Sequence, residues 1–208
     1  MMNQHFSWLR WSASLLVLLQ LSACAPLFIG GAALTGKVAI DRRTAGIQLE
    51  DEAIELRSES GLRAQLPKNS HVKVNSYNRM VLLTGEVNTE NERLQAERFV
   101  KAQDNVKSVV NDLAVMPESS LTQRAQDKLI TGKVRTTLIQ AKDIHSSAVS
   151  IVTERGIVYL MGRLTEAEAK RVADLISGSQ IAGVQKVIKV FEYISEEDLK
   201  RLVAPATR

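Results

Sequence analysis

The chain has 208 residues, 45% of them hydrophobic and only 4% aromatic, with a formal net charge of +4 and a pI near 9.3. So few rings exclude the stacked-aromatic platform that binds single-stranded nucleic acid, and a lone cysteine excludes a disulfide framework. The length suits one medium domain or two small ones.

The first element is an export signal. Arg10 supplies a fixed positive charge, and residues 11–21 form an apolar core broken only by Ser12, Ser14 and Gln20. Roughly 11 apolar residues suit a secretory signal, whereas spanning a bilayer takes about 20. The run Leu21-Ser22-Ala23-Cys24 resembles the bacterial lipobox. That resemblance makes residues 1–23 a cleaved lipoprotein signal and Cys24 the first mature residue, carrying an S-diacylglyceryl and an N-acyl group. The alternative is an ordinary cleaved signal that leaves a free thiol. Ala25 follows the cysteine, where inner-membrane retention usually uses Asp, so the resemblance implies the outer membrane, facing the periplasm. Several acyl chains make such an anchor durable. Residues 24–46, small and apolar around Gly30-Gly31-Ala32-Ala33, read as a tether.

Beyond the tether the chain reads twice. Val72-Lys73-Val74 and the strand Met80-Val81-Leu82-Leu83-Thr84-Gly85-Glu86-Val87 recur, 77 residues on, as Val149-Ser150-Ile151 and Ile157-Val158-Tyr159-Leu160-Met161-Gly162-Arg163-Leu164. Asn105-Val106 recurs as Gly183-Val184 with the spacing grown to 78. A repeat of this size means two similar domains rather than a solenoid of short units. They occupy 47–116 and 125–194, joined by a linker over 117–124 that contains Pro117-Glu118-Ser119-Ser120.

Within each copy a helix comes first, over about 51–66 and 126–141. Two short strands follow, with turns at Tyr77-Asn78-Arg79 and Glu154-Arg155-Gly156, where Asn78 and Gly156 suit positive φ. A second helix opens on Thr89-x-x-Glu92 or Thr165-x-x-Glu168, both capping-box patterns. Ala169, Val172, Ala173 and Ile176 give that helix one buried stripe. A last strand, at 106–115 or 184–194, completes the order αββαβ. Strands joined by a tight turn pair antiparallel, and a strand–helix–strand link favours a right-handed parallel crossover. The expected fold is α+β: two domains, each a three-stranded mixed sheet with both helices on one face. Gly85 and Gly162 are expected to be structural, ending strands where a side chain would block the turn. Residues 195–208 form a C-terminal extension, with a short helix from Ser195-Glu196-Glu197-Asp198 that stops before Pro205.

Together the duplicated unit, the lipobox, the segment Asp41-Arg42-Arg43-Thr44-Ala45-Gly46 and Ile130-Thr131-Gly132-Lys133-Val134-Arg135 resemble the dual BON-domain lipoproteins of the outer membrane. That family is associated with division and envelope stress. The resemblance implies binding of anionic phospholipid through the second domain, support of outer-membrane integrity and concentration at the division site. It assigns no role to the C-terminal extension and no cofactor beyond the acyl groups on Cys24.

The leading helices of the two copies differ in charge. Residues 50–63 carry Glu50, Asp51, Glu52, Glu55 and Glu59 against Arg57 and Arg63, while 126–142 carry Lys128, Lys133, Arg135 and Lys142 against Asp127 alone. An anionic bilayer repels the first and attracts the second. At about 100° per residue, Ile130, Val134, Leu138 and Ala141 face the sheet, and Leu129, Gly132, Thr136 and Ile139 face away. Lys128 and Arg135 flank that strip on one side and Lys133 on the other, the pattern of an interfacial helix. The residues alone leave three outcomes open: lipid contact, packing against the other domain or a partner, and plain solvated surface.

No catalytic constellation emerges. His5 falls in the signal, and neither His71 nor His145 has a partner at metal-ligand spacing, so neither a metal site nor an enzyme is expected. No Gly-x-Ser-x-Gly elbow or phosphate-binding glycine loop occurs. A Gly-x-x-Gly clamp between helices is also absent, which argues against nucleic acid. The reading is a lipoprotein that recognises anionic phospholipid. Its rival is an adaptor acting through outer-membrane assembly or cell-wall remodelling proteins, with the acidic helix as docking surface.

Overall fold

The computed structural model describes residues 41–203. The signal, Cys24, most of the tether and the last five residues lie outside them. The described residues belong to one compact unit. In the first repeat, α1 (Ala45–Gln65) precedes β1 (His71–Tyr77), β2 (Met80–Val87), α2 (Glu90–Lys101), β3 (Ser108–Asn111) and β4 (Ala114–Val115). In the second, α3 (Leu121–Gln140) precedes β5 (Val149–Glu154), β6 (Ile157–Leu164), α4 (Glu166–Gly178) and β7 (Lys186–Tyr193). A short α5 (Glu196–Val203) follows. The fold is α+β with the expected αββαβ order in each copy.

Each sheet has its second strand at the centre. β2 pairs antiparallel with β1, and β6 does so with β5. The returning strand pairs parallel in both cases, unbroken in β7 but interrupted in the first repeat. There the ladder stops after Leu83↔Asn111 and resumes at Glu86↔Ala114, leaving Asp112 and Leu113 outside it.

Both leading helices start earlier than their hydrophobic pattern suggests. The Thr44 side chain accepts from Ile47 N, and Ser120 forms a reciprocal capping box with Gln123. Each cap adds a first turn: residues 45–46 of the expected tether and 121–124 of the expected linker are helical. Thr165 forms its capping box with Glu168, whereas Glu92 turns to the N–H of Asn88 instead of Thr89.

Both hairpin turns hold two successive residues at positive φ, Asn78-Arg79 and Arg155-Gly156, the arrangement of a two-residue type I′ loop. Arginine is costly there. The compensation comes from the leading helix: Asp51 accepts from Asn78 N at 2.8 Å and Arg79 N at 2.7 Å, and Asp127 accepts from Arg155 N at 2.9 Å and Gly156 N at 2.8 Å. Asp51 therefore adds nothing to the outward charge of α1, nor Asp127 to that of α3. Gly85 and Gly162 are structural for a different reason from the one the sequence suggested. The obstacle is the neighbouring strand, because a Cβ would fall 1.9 Å from the His71 carbonyl oxygen or 2.5 Å from that of Ala148.

The helices cover one face of each sheet, forming cores around Val81, Leu83 and Val87 and around Val158, Leu160 and Leu164. The opposite faces pack on each other. Tyr77 and Leu82 from the first repeat meet Val152, Tyr159, Met161 and Val190 from the second in a third core. This explains why β2 and β6 carry unbroken apolar runs, Met80–Leu83 and Ile157–Met161, as strands buried on both faces do. Polar groups rim the seam. Tyr77 donates its hydroxyl to the Ala148 carbonyl at 3.3 Å, and burial pushes its pKa up to about 12. Tyr159 donates to Asp112. Burial first, and then that bond, raises the pKa of the Tyr159 phenol.

Asp41, Arg42 and Arg43 lock the start of the described chain onto this seam. Buried Arg42 donates to both oxygens of Glu168, at 2.5 and 2.7 Å, and to the Arg163 carbonyl at 2.7 Å. Arg43 lies 4.3 Å over the Tyr77 ring and pairs with Asp41 and Asp51.

Candidate lipid-facing helix

Helix α3 buries Asp127, Ile130, Val134 and Leu138, Arg124, Thr131 and Thr137 are half-buried at the edges of that face, and the remaining side chains are exposed. Leu129 is 66% exposed and Ile139 64%. A Cβ on Gly132 would meet nothing within 4 Å. Thr136 is exposed, and its hydroxyl donates to the Gly132 carbonyl at 3.0 Å. That bond satisfies the donor within the helix. Lys128, Lys133 and Arg135 are exposed, and none of them is in an ion pair with another described residue. Ala141, expected on the buried face, is half-buried just past the helix end.

The early helix start adds a residue that the sequence reading missed. Leu121 is 81% exposed and falls in line with Gly132 and Ile139 at 100° per residue. The apolar strip thus runs from Leu121 to Ile139, about 27 Å at 1.5 Å per residue. The available signal was Ser120-x-x-Gln123, a capping box with glutamine in the glutamate position.

The contrast with α1 survives in the folded state. Aligning the buried stripes (Asp51, Ile54, Ser58, Leu62 against Asp127, Ile130, Val134, Leu138) sets Glu52 opposite Lys128 and Glu59 opposite Arg135. Arg57, opposite Lys133, keeps its sign but is paired with Glu50 at 3.1 Å. Leu49 and Leu56 are exposed on α1, in line at 100° per residue, so that helix carries its own apolar strip beside acidic neighbours.

Beside α3 lies an open groove of about 880 Å³, lined by Leu129, Lys133, Pro117, Gln126, Glu86 and Arg155 among others. Glu86 leads to a polar cluster where the two repeats meet. His71 Nδ1 lies 3.0 Å from Glu86 Oε2 and 4.0 Å from Glu154 Oε1, and Lys73 Nζ lies 2.6 Å from Glu154 Oε2. No spacing along the chain announces this cluster, because its members come from both repeats. Among the described residues, no helix is long and apolar enough to cross a membrane.

The BON domain model matches residues 50–117 and 126–195. The chain is 36% identical over 176 residues to "Outer membrane lipoprotein DolP" of Haemophilus influenzae, a match covering 84% of this chain and 90% of the relative. It is 31% identical over 157 residues to the "21 kDa hemolysin" of Actinobacillus pleuropneumoniae, covering 74% and 80% respectively. A likeness to the solved structure of CdsD, a structural protein of the type III secretion system of Chlamydia trachomatis, spans 73% of this chain and 99% of that one, at 15% identity and a TM-score of 0.30. The chain belongs to the dual BON-domain family of outer-membrane lipoproteins.

Proposed function

We propose that this lipoprotein, anchored through Cys24 and facing the periplasm, binds anionic phospholipid through α3 and thereby supports outer-membrane integrity, including at the division site. It acts as a binding protein rather than an enzyme. The observation that carries the reading is the exposed apolar strip of α3 bordered by unpaired cations, set against the acidic equivalent helix of the first repeat. Leu121, Leu129 and Ile139 reach the acyl boundary, Gly132 and Thr136 let the axis approach, and Lys128, Lys133 and Arg135 meet headgroup phosphates. Each cation near an anionic surface contributes about 1 kcal/mol, so the domain alone binds weakly. The acyl anchor compensates by raising the effective concentration of the surface.

Leu129→Glu tests this. The variant folds normally, since Leu129 is exposed, and loses at least tenfold in affinity for anionic vesicles. Unchanged binding contradicts the assignment of this face.

The exposed Leu49 and Leu56 of α1 favour a second reading, in which this acidic strip docks an envelope protein. Capture of a defined outer-membrane assembly or cell-wall remodelling protein without lipid, lost in Leu56→Glu, supports it.

A further inference from the structure

We infer that His71, Glu86 and Glu154 bind a first-row divalent transition metal ion, of the Zn²⁺ type, at the junction of the two domains. The inference is independent of the lipid reading. His71 opens β1 and sits directly across from Glu86 on β2 in the antiparallel register, while Glu154 closes β5 of the other repeat. One donor atom from each of the three lies within 4.8 Å of the others. Zinc bonds to imidazole nitrogen and carboxylate oxygen are about 2.0–2.2 Å, which places tetrahedral ligands roughly 3.4 Å apart. The observed separations from His71 Nδ1, 3.0 Å to Glu86 Oε2 and 4.0 Å to Glu154 Oε1, straddle that value.

A second observation points the same way. Glu86 and Glu154 are 1% and 0% exposed, yet Oε1 of each receives no hydrogen bond. A buried carboxylate oxygen without a donor is costly, and a cation is the natural partner. The other oxygens are oriented by neighbours: Glu86 Oε2, hydrogen-bonded to His71 Nδ1 at 3.0 Å where an ion would intervene, accepts from the Ser119 N–H and hydroxyl, each at 3.3 Å, and Glu154 Oε2 accepts from Lys73. Groups of this kind fix metal-binding carboxylates in place. Arg155 is the other nearby cation, with Nη1 3.6 Å from Glu86 Oε1, but its hydrogen bonds go to the carbonyls of Gly85 and Asp112. Lys73 and Arg155 moderate the affinity without filling the site. One nitrogen and two oxygen donors suit Zn²⁺, Mn²⁺ or Fe²⁺ better than Ca²⁺ or Mg²⁺. The groove that Glu86 and Arg155 line gives ions and coordinating water a way in. Since the donors come from both repeats, the ion ties the domains together.

The test uses the full chain in detergent, without a histidine tag and stripped by chelator, titrated with Zn²⁺ in a calorimeter and with Co²⁺ by visible absorption. The expected result is one ion per chain and a higher thermal midpoint. His71→Gln and Glu154→Gln each lose at least tenfold in affinity while keeping a native circular dichroism spectrum. Binding also weakens on acidification, as the ligands take up protons. Absence of saturable one-to-one uptake overturns the inference, as does undiminished uptake by both variants. Should either variant fail to fold, the unaltered protein decides, because a Co²⁺ spectrum without ligand-field bands overturns it as well.

Discussion

Asp127 stands within a basic helix, where it first reads as a small reduction of positive charge, yet its side chain is buried and holds a hairpin turn in place. Its two oxygens accept the N–H groups of Arg155 and Gly156, and Asp51 does the same for Asn78 and Arg79. Asp127→Asn leaves one acceptor and turns an amide donor toward a backbone donor. The expected loss is about 1–3 kcal/mol, read from urea unfolding midpoints. Asp51→Asn costs more than Asp127→Asn, because it also releases Arg43. The turn positions themselves were legible, since Asn78 and Gly156 suit positive φ. The carboxylates that hold the turns were not, because a contact between residues 51 and 79 leaves no local pattern.

At the scale of the element, the orientation of α3 follows from its periodicity: the buried Ile130, Val134 and Leu138 and the exposed Leu129 and Ile139 fall where a 3.6-residue repeat sets them. The helix start was harder to read, since its first turn carries no buried residue and depends on a Ser120–Gln123 cap. Leu121 was lost with it. The difference between α1 and α3 gives a direct prediction. Lys128→Glu combined with Arg135→Glu gives α3 the signs of α1 at those two positions and leaves the core untouched. Affinity for anionic vesicles should fall at least tenfold, and the residual binding should lose most of its salt dependence. Retained salt-sensitive binding would place the lipid contact elsewhere.

At the scale of the whole molecule, the duplication and the αββαβ order were legible, and so was the family. How the domains meet was not. The apolar runs of β2 and β6 signal burial on both faces, but nothing local says that each sheet covers the other. The Arg42 lock is similarly non-local, joining the start of the described chain to the first turn of α4. Burial works against the Glu168 carboxylate, but the hydrogen bonds from Arg42 and Thr165 outweigh it and lower its pKa below the ordinary 4.5. A lowered carboxylate stabilises the fold fully above its ordinary value, and that contribution fades as pH falls through the depressed one. The thermal midpoint of Glu168→Gln should therefore lie below that of the parent at pH 6–8, and the gap should narrow as the pH falls below the ordinary carboxylate range. A constant difference down to pH 3 would show that the charge of Glu168 is irrelevant.

The most direct measurement follows backbone NMR shifts of the protein freed of its acyl anchor as anionic phospholipid micelles are added, with zwitterionic micelles as the control. The account predicts that shifts concentrate between Leu121 and Ile139, appear only with anionic lipid and fade in high salt. Shifts centred on α1, or equal shifts with both lipids, would contradict it.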